Sequence, residues 1–544
     1  MPWVALVGPE IEENLSLRYL ASSLACAGYE SRIVAFQYDT DFGRVLDEIL
    51  GAPEAPFLIG ISLAFQWRAQ ESLALAIALR DRGYRGHITA GGHFATFAGK
   101  EILNDFNEID TIVCQEAEET LVQLCHAVTG GRTVSNLAGI VYRDETGRAH
   151  VAPPAPLPDL ARLPPPDRRG EPAACFGHGI APLVGSRGCY ANCSFCCIAA
   201  WHEQSLPGKR YRLREVDAIA DEMVAMNRDR GIDIFVFHDD NFFMPGHKKN
   251  QERFSALADA IEARGLRRFA TVVKARPTDV HPEVFRILTK RLNCIRVYIG
   301  IETDADQGLT TLRRWSGTKQ NRSAIRLVRE LDLYTCFNML IFDPDTTIES
   351  LETNVAFMRF AAEYPSNFGR VELYAGTPLL ARMQAEGRCT GDYLQWDYAL
   401  GDRDVERVFS MAMSAFHTRN FGEDALNNRI MGTRFDLEVC RHFHPDVVNP
   451  SWLAEGKHLT RELTYDSADT LEAIINRAKS KAPVNEDKAF IAELTPKLRA
   501  KEFEIREATR ELARTLQKAV GQGRPLTDIG DKVATPLQSQ RAEI

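Results

Sequence analysis

The feature that most constrains this chain is an alternation of short apolar runs with helix-length segments, met twice along its length. In the first 130 residues the runs are VALVG (4–8), SRIVAF (31–36), FLIGISL (57–63), HITAGG (87–92) and DTIVC (110–114). Helical patterns follow them over 13–27, 43–50, 69–82, 98–105 and from about 118. Strands that are apolar along their whole length are covered on both faces, which predicts a parallel, doubly wound sheet. Several of the runs end in Gly or Ser, at the strand ends where such sheets take ligands. AGIVYRDETGRAHV, within 136–153, reads as a β-hairpin turning at Glu145–Gly147, and the proline-dense APPAPLPDLARLPPPDRR (152–169) as an extended linker.

The second alternation starts at APLVGSR (181–187). It continues through IDIFVFHDD (232–240), FATVVKA (269–275), IRVYIGIE (295–302), TCFNMLIF (335–342) and FGRVELY (368–374), with helices at about 214–230, 248–264, 281–291, 318–332 and 347–363. Six strands joined by right-handed crossovers predict a (β/α)6 partial barrel whose functional groups gather at the strand C-termini. From about residue 380 the alternation stops and the pattern is mostly helical. The charged amphipathic stretch 486–519 is expected to pack on the barrel or at a dimer contact. The last twenty residues read as a loose tail.

Composition narrows the class further. A chain of 544 residues that is 45% hydrophobic and 26% charged can bury a large core. Its net charge of −9 argues against a nucleic-acid partner, which usually meets a basic stripe. No window of about 18 uninterrupted apolar residues predicts a membrane span. MPWVALVGPEIEENLSLRYL lacks a basic n-region and carries acids where a signal sequence stays apolar, so a cytoplasmic location is expected.

Of twelve cysteines, Cys26, Cys114, Cys125, Cys175, Cys294, Cys336, Cys389 and Cys440 are scattered and read as small buried hydrophobes. The other four crowd into CYANCSFCC. Cys189, Cys193 and Cys196 are spaced C-x3-C-x2-C, right after the first strand of the second alternation. One loop can point these three thiolates at an iron–sulfur cluster and leave one iron open for a small molecule. The competing reading is zinc, which usually takes two pairs of ligands, and no second pair lies nearby. Cys197 is read as a neighbour of the cluster.

CYANCSFC, with Phe195 before the third cysteine, resembles the radical S-adenosylmethionine superfamily, and the likeness covers about 180–380. The resemblance implies a [4Fe-4S] cluster on Cys189, Cys193 and Cys196, with Phe195 beside the cofactor. S-adenosylmethionine would bind the open iron and be cleaved to a 5′-deoxyadenosyl radical by an electron from a flavodoxin- or ferredoxin-type donor. By the same likeness Glu302 of YIGIET lies near the ribose or amino group. Asp239 and Asp240 of FHDDNFF lie near the methionyl end or the substrate, and Arg276 of KARPTD offers a carboxylate partner. NMLIFDPDT (338–346) corresponds to the segment behind the adenine, with Phe342, Asp343 and Pro344 where the family often has glycines.

The first unit, with GISLAFQWRAQES (60–72), AGGHFATF (90–97) and VCQEAEETL (113–121), resembles the cobalamin-binding domain that precedes many such barrels. Gly91 and Gly92 would let backbone approach a flat ligand, and Ser62 and Gln66 would meet the corrin's amide rim. No D-x-H-x-x-G motif signals a lower axial histidine, so His93, on a loop after the glycines, is assigned to hydrogen bonding of the corrin or phosphate region. The family's G-E-G-E is here QEAE, with Gln115, Glu116 and Glu118. Trp67 and Arg68 fall where the lower corrin face would lie, and a cation there would discourage a sixth ligand.

These likenesses imply a Rossmann-like cobalamin-binding domain at 1–135, a hairpin and linker at 136–178, a radical S-adenosylmethionine partial barrel at 179–380 and a helical, substrate-capping domain at 381–544. The activity they imply is methyl transfer from methylcobalamin to an unactivated carbon of a small molecule or peptide. The alternative is a radical enzyme that cyclises, contracts a ring or rearranges without methylation. A transfer-RNA methylthiotransferase would carry a second three-cysteine set, which Cys26, Cys114 and Cys125 do not supply, and a cofactor sensor would not need the strand-end acids. The substrate would be read by the strand-end loops and by 380–544, with Tyr374 and SAFHTRNFG (414–422) reaching the pocket.

Overall fold

The computed structural model of the chain describes residues 2–206 and 211–521; the tail expected over the last twenty residues lies outside them. Two compact units form. One comprises Met1–Glu171, Ser186–Glu215 and Glu372–Tyr398, the other Pro172–Gly185, Val216–Val371 and Ala399–Ile544. This division interleaves segments that the sequence reading drew as contiguous.

The first unit is built on β1 (Trp3–Gly8), β2 (Glu30–Ala35), β3 (Leu58–Ser62), β4 (His87–Gly91), β5 (Thr111–Val113), β6 (Ile140–Arg143) and β7 (Ala149–Val151). Their order is β2-β1-β3-β4-β5-β6-β7. The first five are parallel, and the expected hairpin adds β6 and β7 to the edge as antiparallel strands. The apolar runs are continuous because both faces are covered. Trp3, Ala5 and Val7 enter one core with Ile59 and Leu73, while Val4 and Leu6 enter another with Leu17 and Leu121. The helices are α1 (Leu15–Cys26), α2 (Phe42–Leu50), α3 (Ala69–Asp81), α4 (His93–Asp105) and α5 (Glu118–Thr129). Helix α4 starts five residues before its expected position, so His93 opens a helix instead of sitting on a loop. The cause is Gly92, whose φ of 111° turns the chain into the helix and whose carbonyl accepts from Thr96 N.

The chain next forms β8 (Ala173–Cys175) and β9 (His178–Leu183) in the second unit. The expected strand 181–187 therefore splits. The N–H of Gly185 is claimed by both carboxylate oxygens of Asp239 at 3.0 Å, and β10 (Ser186–Gly188) returns to the first unit to pair with β11 (Tyr211–Leu213). Between these two lies α6 (Ile198–Glu203).

The second unit continues with β12 (Ile232–Phe237), β13 (Ala270–Ala275), β14 (Cys294–Ile299), β15 (Tyr334–Phe342) and β16 (Ser366–Arg370). The sheet order is β16-β15-β14-β13-β12-β9-β8. Six parallel strands in sequential order make the expected half-barrel, with β8 added antiparallel at one edge. The sixth strand ends at Arg370, four residues early, because the peptides of Leu373 and Ala375 bond to the Gln66 side chain instead of continuing the ladder. The covering helices are α7 (Val216–Arg230), α8 (His247–Ala263), α9 (Pro282–Lys290), α10 (Asp306–Thr311), α11 (Thr318–Glu330) and α12 (Ile348–Phe360). After α13 (Pro378–Ala385) of the first unit come α14 (Arg403–Phe421), α15 (Leu426–Phe443), α16 (Pro450–Lys479) and α17 (Asp487–Val520). The long charged stretch is α17, whose Ile505, Leu512 and Leu516 join Leu437 and Leu463 in one core. That core meets Ile234, Ala270, Val272, Ile295 and Tyr334, all at the starts of barrel strands.

Candidate functional site

The antiparallel pair β10–β11 closes a loop that begins at Cys189. Gly188, with φ of 83°, supplies the left-handed turn into it. None of the twelve cysteines is in a disulfide; Cys193 is buried, and Cys189, Cys196 and Cys197 are half-exposed. The Ala191 N–H points at Cys189 Sγ at 3.4 Å, and Cys196 N donates to Cys193 O at 3.2 Å. Phe195 occupies the turn between the second and third cysteines. Thiols on a half-exposed turn, one of them facing a backbone N–H, fit an iron–sulfur cluster, which takes each cysteine on a separate iron. Among the described residues no three His, Cys, Asp or Glu side chains gather around one point as a single ion requires. Cys197 is the residue just before α6 and lies close enough to Tyr374 to act on it. Burial, then Glu372, then Cys197 push the Tyr374 phenol far above its ordinary range, and its hydroxyl donates to Glu372.

A buried ion network fastens this loop to the turn after β5. Arg187 places Nη1 2.5 Å from Glu116 and Nη2 2.7 Å from Glu118. Arg212 pairs with the other oxygen of Glu116, and His202 Nδ1 stands 3.5 Å from it. Glu116 and Glu118 are 8% and 6% exposed, so the attraction acts with little solvent screening. Burial lowers Arg212 to about 10, which leaves it cationic at neutral pH. Thr96 forms a second tie: its hydroxyl accepts from Trp201 Nε1 at 3.1 Å and from Gln115 N at 3.0 Å, while the Trp201 ring packs against His93 in a tilted contact, 4.7 Å between centroids. Sequence reasoning missed Arg187, Arg212, Thr96 and Trp201, because their roles rest on partners far away in the chain.

Strand order in the first sheet reverses between β1 and β3, and a cleft opens there at the strand ends, walled by Gly8, Phe36, Ser62, Phe65 and Arg68. Arg68 is 8% exposed; it pairs with Glu71 at 2.9 Å, donates to Phe36 O and lies against the Phe36 and Trp67 rings. Gln66 is not aimed into the cleft: its Oε1 accepts from Ala375 N at 2.9 Å and its Nε2 donates to Leu373 O. Gly92 has a packing reason of its own, since a Cβ there would come within 2.8 Å of Ala64 N; at Gly91 a Cβ would meet Val113 O at 3.2 Å. Gln115, at the end of β5, holds a φ of 54°, and its buried Oε1 has no hydrogen-bond partner. A strained residue with an orphaned acceptor at a sheet's ligand end fits a cofactor rimmed with amide N–H groups, as a corrin is.

The second unit presents its own group at the ends of β12 to β15. Glu302, just past β14, has φ of 64° and bridges to Met339 of β15. Burial raises its carboxyl pKa, opposed by Arg314 and Arg276. Gly300 makes room: a Cβ there would stand 3.0 Å from Glu302 Oε1 and 3.4 Å from Arg314 Nη2. Arg276 lies over the exposed Trp315 ring at 5.8 Å. Asp239 is engaged with Gly185, while Asp240 is exposed at the end of β12. Asp343, expected behind an adenine, is buried in a turn, its N–H on Thr346 Oγ1 and its carboxylate on Asp345 N. An acid held in a left-handed conformation between two arginines fits the amine, carboxylate and ribose of S-adenosylmethionine.

Two family models match. That of the B12 binding domain covers residues 4–125, and that of the radical SAM superfamily covers residues 183–358. The chain carries a B12 binding domain and a radical SAM domain. These domains imply a [4Fe-4S] cluster, S-adenosylmethionine and cobalamin. The chain is 26% identical over 296 residues to an uncharacterised methyltransferase of Pyrococcus horikoshii, covering 54% of this chain and 62% of that one. It is 27% identical over 349 residues to the hopanoid C-3 methylase of Methylococcus capsulatus, covering 62% and 63%. It is 24% identical over 327 residues to the anaerobic magnesium-protoporphyrin IX monomethyl ester cyclase of Cereibacter sphaeroides, covering 58% and 50%. The chain thus spans between half and two thirds of the length of these relatives. Among solved structures it shares the fold of the radical enzyme OxsB with aqua-cobalamin bound, at a TM-score of 0.65 and 17% identity over 96% of this chain and 85% of that one. It likewise shares the fold of the methyltransferase TsrM from Kitasatospora setae with cobalamin and a [4Fe-4S] cluster bound, at a TM-score of 0.59 and 21% identity over 71% and 78%. No helix among the described residues is long and apolar enough to cross a membrane.

Proposed function

We propose that this radical SAM protein is a C-methyltransferase, moving a methyl group to an unactivated carbon of a small molecule or peptide. The observation that carries the reading is the ion network of Arg187 and Arg212 with Glu116 and Glu118, which makes the three-cysteine loop and the corrin-binding sheet parts of one unit. A radical enzyme without corrin chemistry has no need of that union. The names of two of the three relatives above, a methyltransferase and a methylase, support it.

When bound, the cluster with S-adenosylmethionine supplies an adenosyl radical, and cobalamin supplies a transferable methyl group. The chain's own residues do the positioning. Cys189, Cys193 and Cys196 hold the cluster. Glu302 accepts from the amine or ribose of S-adenosylmethionine, Arg276 meets its carboxylate, and Asp240 stands at the same strand ends. Ser62, Arg68 and the glycine pair at 91 and 92 frame the corrin, and the Gln115 amide oxygen accepts from its rim. Gln66 and Glu116 act one step back, by holding residues 373–375 and the cysteine loop. A reductant of flavodoxin or ferredoxin type completes the system.

The cyclase among the relatives favours a second reading, a radical rearrangement without methyl transfer. The two are separated by loading the protein anaerobically with both cofactors, adding reductant and S-adenosylmethionine labelled in its methyl group, and weighing the recovered corrin. Label on the corrin is the expected result. Cleavage to 5′-deoxyadenosine with an unlabelled corrin would overturn methyl transfer in favour of rearrangement.

A further inference from the structure

The two faces of the half-barrel strands are filled differently. On β15, Phe337 points outward and meets Phe357 of α12. Tyr334 and Asn338 lie on the other face, as does Asn367, opposite Asn338 on β16, and there α15 closes the base. The Tyr334 hydroxyl donates to Met431 O at 2.8 Å, and Asn367 Nδ2 donates to Asn428 Oδ1 at 3.1 Å. Elsewhere the inward face is open. Lys274, Tyr298, Asn338 and Leu340 are half-exposed, whereas Val273, Val297, Phe337 and Met339 on the outward face are buried. Arg296 forms the floor of this trough. It lies in register with Val272 and Tyr334, both buried, and its guanidinium sits over the Phe435 ring of α15, 4.6 Å from the centroid.

Arg296 carries a charge without a counter-charge. It is half-exposed, its buried Nε has no hydrogen-bond partner, and no carboxylate among the described residues pairs with it. The groups its charge reaches, Cys294, Cys336 and Tyr334, are held in their neutral forms by burial. Glu302 answers instead to Arg314 and Arg276, and Glu438 to Arg441 and Arg434. A guanidinium drawn partly out of water without a partner loses solvation that an anion restores. We propose that Arg296 binds the anionic group of the substrate, a carboxylate or a phosphate. The inference rests on the methyl-transfer reading and narrows it: the methyl acceptor is an acid. The planar fork of the guanidinium matches two oxygens of either group, and Phe435 fixes its place. About 13 Å of strand separates Arg296 from Gly300. Gly300 in turn lies against the Glu302 carboxylate. An acid anchored at the floor therefore extends up the trough toward the residues proposed to hold S-adenosylmethionine, with its reacting carbon remote from its charge.

The test uses the full-length protein loaded anaerobically with both cofactors and S-adenosylmethionine, without reductant, so that the cofactor's own carboxylate is already seated. Three probes are titrated: benzoate, phenyl phosphate and the neutral benzyl alcohol. At least one anion should bind the wild type about tenfold more tightly than the alcohol, or better. The tighter of the two anions names the charged group of the substrate. Arg296→Met should erase the preference while iron, corrin and S-adenosylmethionine binding stay at wild-type levels. Arg296→Lys keeps the charge but not the fork, so it should keep part of the preference; it also covers the case in which the methionine variant fails to fold. Equal binding of all three probes, no binding of either anion, or a preference unchanged in whichever variant folds would each overturn the assignment. Methyl label on the corrin with no anion preference would remove this inference alone. An anion preference with an unlabelled corrin would leave the anion site standing and remove the methyl-transfer reading.

Discussion

Glu116 shows how one side chain changes meaning once its partners are known. In sequence it is one of two acids left from a glycine-rich turn, and a corrin contact is the natural expectation. In the fold it stands between Arg187 and Arg212, with both oxygens used. Removing one partner of a buried pair leaves the other charge stranded, at a cost of about 3–5 kcal/mol. Glu116→Ala should therefore lower stability by that order in denaturant unfolding and reduce iron retained per chain, whereas a solvated corrin contact would leave both unchanged. Gln66 follows the same pattern, its amide consumed by Leu373 and Ala375. The cysteines could be nominated from sequence because the signal lies in their local spacing. Gln66 and Glu116 were not, because the partners that occupy them lie some 70 to 310 residues away.

At the level of elements, hydrophobic patterning located the parallel strands of both sheets and the long helices between them. It missed short pieces such as β8, β11, α6, α10 and α13. Among the elements it did locate, the boundaries shift where a side chain overrides the ladder. Gly92 starts α4 early, Asp239 takes the Gly185 peptide out of β9's path, and Gln66 ends β16. The helices after residue 400 offered periodicity without an address; the address comes from apolar contacts with the strand starts. Glu438, in α15, is an acid inside that packing, 2% exposed beside Arg441, and burial raises it to about 7. A carboxyl whose pKa is higher in the fold than in the unfolded chain binds its proton more tightly when folded. Its stabilising contribution is full below the unfolded value of 4.5 and is lost as the pH rises through about 7. The melting temperature should therefore fall between pH 5 and 7.5 more steeply in wild type than in Glu438→Gln. Parallel pH profiles for the two proteins would show that this carboxyl does not titrate in that window.

The whole molecule is two units, and each carries part of the proposed site in its own residues. One holds the corrin-type sheet with the three-cysteine loop bound to it through Arg187, Arg212 and Trp201. The other holds the half-barrel with Glu302, Arg276 and Asp240 at its strand ends. Sequence alone carried the class of fold and the cofactors, since alternation, cysteine spacing and the Gly-Gly and QEAE turns are local signals. It did not carry the interleaving of the units, which depends on where residues 186–215 and 372–398 pack. The central claim, that one chain holds both an iron–sulfur cluster and a corrin, is tested most directly by metal and corrin analysis. The protein would be reconstituted without oxygen with iron, sulfide and hydroxocobalamin, desalted, and its visible spectrum recorded. About four irons and about one corrin per chain are predicted, with iron falling to background when Cys189, Cys193 and Cys196 are replaced by alanine. Four irons without corrin, or zinc in place of iron, would contradict the account.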